Sequence, residues 1–110
     1  MLLALTRYDV PDAEAAAFLQ QARPALAVLL ERPGCRDAQL ARAVDETEVW
    51  VMASRWESVG AYRRALSHPE VKLHAVPLMY RCRDEPTSFE VLLDGEPGRL
   101  DAHASDVAGA

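Results

Sequence analysis

Apolar positions along this chain recur at every second residue in some stretches and at every third or fourth in others, and the switches of period delimit its elements. Residues 2–9 alternate weakly and run up to Pro11, which biases Val10 toward extended backbone, so a first strand is predicted there. Asp12 is placed to cap a helix. In that helix Ala15, Phe18, Leu19, Ala22, Leu26, Leu29 and Leu30 form one apolar stripe, which stops at Arg32-Pro33-Gly34. Pro24 lies inside the pattern and removes a main-chain donor to the Gln20 carbonyl; a kink is predicted, with two short helices as the alternative.

After Gly34 a second strand is predicted in CRDAQLARAV. Ala38, Leu40 and Val44 lie on one alternate set, which Arg36 and Arg42 share. Asp45, Glu46 and Thr47 make a tight connection to EVWVMASRWE, the second arm of a hairpin. One alternate set of that arm is Val49, Val51, Ala53 and Arg55, and the other is Trp50, Met52, Ser54 and Trp56. Both faces are thus apolar, whereas an antiparallel sheet covered on one side turns a polar face to water. Something must cover the second face, and a second copy of the chain is the derived expectation.

Ser58 then serves as an N-cap for VGAYRRAL, and helical periodicity resumes through SHPEVKLHAVPLMY, with Val71, Leu73, His74, Val76 and Leu78 available to an inner face until Pro77. A last strand is predicted in EPTSFEVLLD. The order strand, helix, strand, strand, helix, strand is the split βαβ arrangement of ferredoxin-like α+β folds, an antiparallel sheet with helices on one face. Two such sheets packed through their open faces make a dimeric α/β barrel. The expected division is one domain over residues 1–94 and a polar tail over 95–110, which has too little apolar burial to order itself and is free to drape over a partner subunit.

Composition narrows the function classes. The 110 residues suffice for a single core, and a formal charge of -5 gives no electrostatic reason to bind nucleic acid or an anionic membrane. No apolar run reaches the length of a membrane span, and the start lacks the basic segment and cleavage site of a secretory signal, so a cytoplasmic protein is expected. Cys35 and Cys82 are spaced for neither a redox motif nor zinc, and His68, His74 and His103 form no metal-binding array. No metal is expected.

The segments RPGCRDAQLARAV, ASRWESVGAYRRALSHPEVKLHAVP and FEVLLD together resemble the antibiotic biosynthesis monooxygenase superfamily of dimeric α+β barrels. The likeness lies in the Pro-Gly that opens the second strand, the Trp-Glu-Ser that closes the third, the aromatic six residues later and the proline before the last helix. Within that superfamily, Trp56 and Tyr62 match the pocket tryptophan and tyrosine of the cofactor-free monooxygenases of aromatic polyketide biosynthesis. The resemblance implies Trp56 and Tyr62 as catalytic residues, a homodimer, and a small aromatic ligand of phenol or anthrone type. It also implies that no cofactor is needed, because the deprotonated substrate is itself the electron donor to dioxygen. The asparagine of that branch falls on Met52 and its arginine near Ala75, so Met52 joins Thr6 and His74 as an expected pocket residue. A haem-degrading branch offers a second reading. Its axial histidine matches His74, while its first-strand asparagine corresponds to Thr6 and its helix tryptophan to Ala65. A dimer that binds a small apolar ligand without catalysis is the third reading.

Overall fold

The computed structural model describes residues 1–105. Strand β1 (Leu2–Asp9) leads through a 3-10 turn (Asp12–Glu14) into helix α1 (Ala15–Leu30). Strands β2 (Cys35–Arg42) and β3 (Val49–Trp56) form the predicted hairpin, and helices α2 (Val59–Leu66), α3 (Pro69–His74) and α4 (Val76–Met79) follow. Strand β4 (Ser88–Glu90) completes an antiparallel sheet of order β2-β3-β1-β4. A separate two-stranded hairpin, β5 (Leu93–Glu96) and β6 (Arg99–Ala102), stands after it.

The register separates the two faces of the sheet. Leu2, Thr6 and Tyr8 pair with Trp56, Met52 and Trp50, and these side chains point toward the helices. There they meet Phe18, Ala22, Ala25 and Leu29 of α1, Ala61, Tyr62 and Ala65 of α2, and Val71 and Leu78 of the last helices. The buried stripe of α1 sets two alanines, Ala22 and Ala25, between Phe18 and Leu29, so the alanines let the helix approach the sheet while Phe18 packs 5.1 Å from Tyr8 and 5.5 Å from Trp50.

The other face carries Leu3, Leu5, Val49, Val51, Ala53 and Phe89, as the two-sided pattern of β3 predicts, and no element among the described residues lies across it as a layer. Arg55 shares that face and is held by the Asp37 carboxylate in a two-pronged ion pair. The guanidinium holds Asp37 below the usual carboxylate range.

Several local expectations are corrected. Helix α1 runs through Pro24 as the one helix expected, and only the alternative of two short helices falls away; Pro24 and Gln20 both face solvent, so water can meet the carbonyl that proline leaves without a main-chain donor. Asp12 makes no side-chain cap. Its carboxylate accepts a hydrogen bond from the Thr47 hydroxyl at 2.9 Å and its N–H donates to Glu48 at 3.0 Å, tying the entry of α1 to the β2–β3 connection. Leu19, Leu30 and Leu73 lie largely exposed at the margins of their stripes, and Val44, past the end of β2, is fully exposed because the chain has already left the sheet. Residues after Gly95 do order in part, as β5 and β6, because cross-strand pairing supplies what apolar burial does not. The expected tail otherwise lies outside the described residues from 106 onward.

Candidate functional site

A cavity of about 560 Å³ lies between the sheet and the later helices. Its wall is formed by Thr6 of β1, Leu66 of α2, Lys72 of α3, Val76 and Met79 of α4, and Tyr80, Cys82 and Thr87 of the segment leading to β4. That volume is in the range of small-molecule sites, and the lining is mainly apolar with a few polar groups. The position follows from the fold: the Leu5 N–H donates to the Thr87 carbonyl and the Arg83 N–H to that of Arg7, so residues 83–87 run beside β1 and close one side.

Thr6 is one of two buried polar residues in the core, and it is fully engaged. Its hydroxyl lies 2.9 Å from the Tyr8 hydroxyl, a pair in which either oxygen can donate, and 3.4 Å from the Met52 carbonyl. Burial pushes the Tyr8 phenol up to about 12, against the opposing hydrogen bond to Thr6. Burial likewise raises Tyr62, opposed by its hydrogen bond with Ser88. Cys82 interacts electrostatically with both phenols, so Thr6 and Cys82 of the cavity wall adjoin Tyr8 and Tyr62 behind it. Burial keeps the two phenols protonated near neutral pH, which makes the tyrosines hydrogen-bond donors and not bases.

The residues singled out from sequence are placed as follows. Trp56 and Tyr62 do meet, with ring centroids 5.4 Å apart, because Trp56 ends β3 and Ser58 caps the helix that turns Tyr62 back onto it. Both are buried, neither forms the cavity wall, and the Trp56 indole N–H donates to the Ser54 hydroxyl at 2.8 Å. Met52 lies beneath Thr6, reached through its carbonyl. His74 does not line the cavity; its Nε2 lies 3.4 Å from the Glu70 carboxylate on a half-exposed face of α3. Thr6 alone of the five borders the cavity. Tyr8 went unnoticed although it stands two residues from Thr6 on the same alternate set, a spacing that already puts both hydroxyls on one face. Lys72, Tyr80 and Cys82 carry no such signal, because their approach to β1 depends on the path of the chain after α4.

Among the described residues no group of three or more His, Cys, Asp or Glu side chains could hold a metal ion, and no helix is long and apolar enough to cross a membrane. The sheet order, the helices on one face and the cavity between them define the class: a ferredoxin-like α+β protein with an apolar cavity, open on one side, between sheet and helices. More narrowly, the chain belongs to the antibiotic biosynthesis monooxygenase family, whose model matches residues 1–75. Among solved structures it is similar to SnoaB, a cofactor-independent oxygenase from Streptomyces nogalater. An asparagine-to-alanine variant of SnoaB is 27% identical with a TM-score of 0.70 over 82% of this chain and 91% of that one. SnoaB itself is 26% identical with a TM-score of 0.61 over 82% and 88%. A conserved protein from Methanosarcina mazei Go1, 18% identical with a TM-score of 0.66 over 80% and 89%, shares the fold. No protein of curated function matches the sequence.

Proposed function

We propose that this protein is a cofactor-independent monooxygenase that oxidises an aromatic small molecule of phenol or anthrone type with dioxygen. The observation that carries the reading is the apolar cavity with the Thr6 hydroxyl at its wall and the Tyr8 hydroxyl bonded behind it. Likeness to SnoaB, described as a cofactor-independent oxygenase, supports it. Lys72 also lines the cavity and makes no ion pair with a carboxylate among the described residues, so its ammonium is available to a substrate that has lost a proton.

In this reading the apolar wall holds a flat ring system out of bulk water and Lys72 favours the substrate anion. The anion passes one electron to dioxygen, and the radical pair collapses to a peroxide with a new C–O bond. Loss of the remaining C–H proton and cleavage of the O–O bond then give the quinone carbonyl and one water. Thr6, at the wall, turns its hydroxyl from the long contact with the Met52 carbonyl to the oxygen that becomes negative, with the Tyr8 hydroxyl bonded behind it. Trp56 acts as a positioning residue that holds the Tyr62 ring. The active unit in this proposal is a homodimer joined through the open sheet faces, and no structural feature favours haem, since His74 faces Glu70 and not the cavity.

Oxygen consumption with an anthrone in chelator-treated buffer tests the activity. Thr6→Val should lower kcat by about a hundred- to a thousandfold, as loss of a single donor to a developing oxyanion does, and Tyr62→Phe, whose hydroxyl stands behind the wall, should lower it less. Wild-type protein inert toward a panel of anthrones and quinols would remove the reading.

A further inference from the structure

We propose that the cleft between the end of α1 and the α2–α3 junction is a binding site for a phosphate-type oxyanion. The cleft, about 150 Å³, is lined by Arg32, Pro33, Ala61, Arg64, Ala65 and His68 and lies on the helical side of the molecule, away from the open sheet face and the apolar cavity. Its volume equals that of about five liquid waters, room for one tetrahedral anion with part of its hydration shell.

Three nitrogen-bearing side chains, Arg32, Arg64 and His68, line the cleft. No Asp or Glu lines the cleft, and neither arginine takes part in an ion pair among the described residues, although carboxylates outnumber Lys and Arg by 17 to 12 in the chain. The Arg32 Nε is buried and has no hydrogen-bond partner among the described residues. A buried guanidinium N–H without a partner is unfavourable, and a turn of the Arg32 side chain toward the cleft it lines lets a bound anion satisfy it. His68 caps α3 with its Nδ1, which accepts from the Glu70 N–H at 3.2 Å. Its proton is therefore on Nε2, and the ring is a donor even when neutral. Arg64 leans back along α2, where Gly60 leaves room for it: a Cβ at Gly60 would lie 3.1 Å from Arg64 Nη1. The field of the α2 C-terminus accounts for a cation in its last turn, but it gives the Arg32 Nε no partner.

Tetrahedral geometry suits this donor set, because two planar guanidiniums and one imidazole N–H can each take a different oxygen. Free phosphate and the phosphate of a larger ester present the same chemistry to the cleft. Isothermal titration of the full chain with inorganic phosphate and with glycerol phosphate, in sodium chloride of matched ionic strength, reads the site directly. Saturable binding of at least one of the two is expected, and Arg32→Gln and Arg64→Gln should each weaken it by about tenfold or more. Tighter binding of the ester identifies a headgroup as the source, and equal or tighter binding of the free anion identifies phosphate itself. A chain that binds neither, or Gln variants that retain wild-type affinity with unchanged circular dichroism, would overturn the proposal.

Discussion

Tyr8 shows how one buried hydroxyl sets both a stability profile and a chemical role. Its ring is 1% exposed, between Phe18 and the floor of the cavity, and its phenol is raised to about 12 from an ordinary value of 10.0. Because the folded state holds this proton more tightly than the unfolded chain does, the stabilisation is fully present below pH 10. It is lost as pH rises from about 10 to 12, where the unfolded chain ionises first. Two pH units of separation correspond to about 2–3 kcal/mol. Denaturant titrations at stepped pH should show Tyr8→Phe losing that much less stability than wild type across the window, and absorbance near 295 nm should show a late-titrating phenol missing in the variant. Identical pH profiles for the two proteins would mean that Tyr8 is not desolvated as described.

At the scale of elements, Gly34 joins the end of α1 to the start of β2 and sets how closely α2 can pack. Its φ is +88°, and a Cβ there would lie 2.6 Å from the Ala61 Cβ. Its carbonyl accepts from the Glu57 N–H at 2.8 Å, just before Ser58 caps α2. Gly34→Ala combines left-handed strain with a backbone displacement against α2, and urea unfolding should show a loss of about 1–3 kcal/mol. Both ends of this connection were legible in the sequence: the Pro-Gly pair that stops one period and the Ser58 cap that starts another. So were the hairpin and the two-sided apolar pattern of β3, because alternation in eight residues specifies a face without reference to any distant partner. The candidate site was less legible. Trp56 and Tyr62 were readable as neighbours, since a strand end and a capped helix fold back locally, yet the cavity lies one layer away. Its wall is completed by Lys72, Tyr80, Cys82 and Thr87, which reach β1 only through contacts dozens of residues apart in sequence, and no local period encodes those.

For the whole molecule, the radius of gyration is 14.8 Å, against about 13 Å for a compact domain of this length. Two features account for an extended outline: the open sheet face with Leu3, Leu5, Val51 and Phe89, and the β5–β6 hairpin, whose Leu93 and Leu100 are mostly exposed. An isolated two-stranded hairpin is marginal in water, and this one touches the sheet face through Asp94, 4.0 Å from Arg55. A second copy laid face to face on the sheet would cover the apolar face and give the hairpin a surface to lie on. Val51 is the substitution site that separates dimerisation from folding, because it pairs across the strands with Arg7, which can meet an introduced carboxylate in the solvated monomer, whereas a dimer seam would have to desolvate that ion pair. Analytical ultracentrifugation should find wild type dimeric at micromolar concentration and Val51→Glu weakened by more than about a hundredfold, with native circular dichroism. Hydrogen exchange should then show residues 93–102 losing protection in Val51→Glu while β1 and β3 keep theirs. A wild-type chain that sediments as a monomer, or a hairpin equally protected in both proteins, would remove the partner subunit from this account.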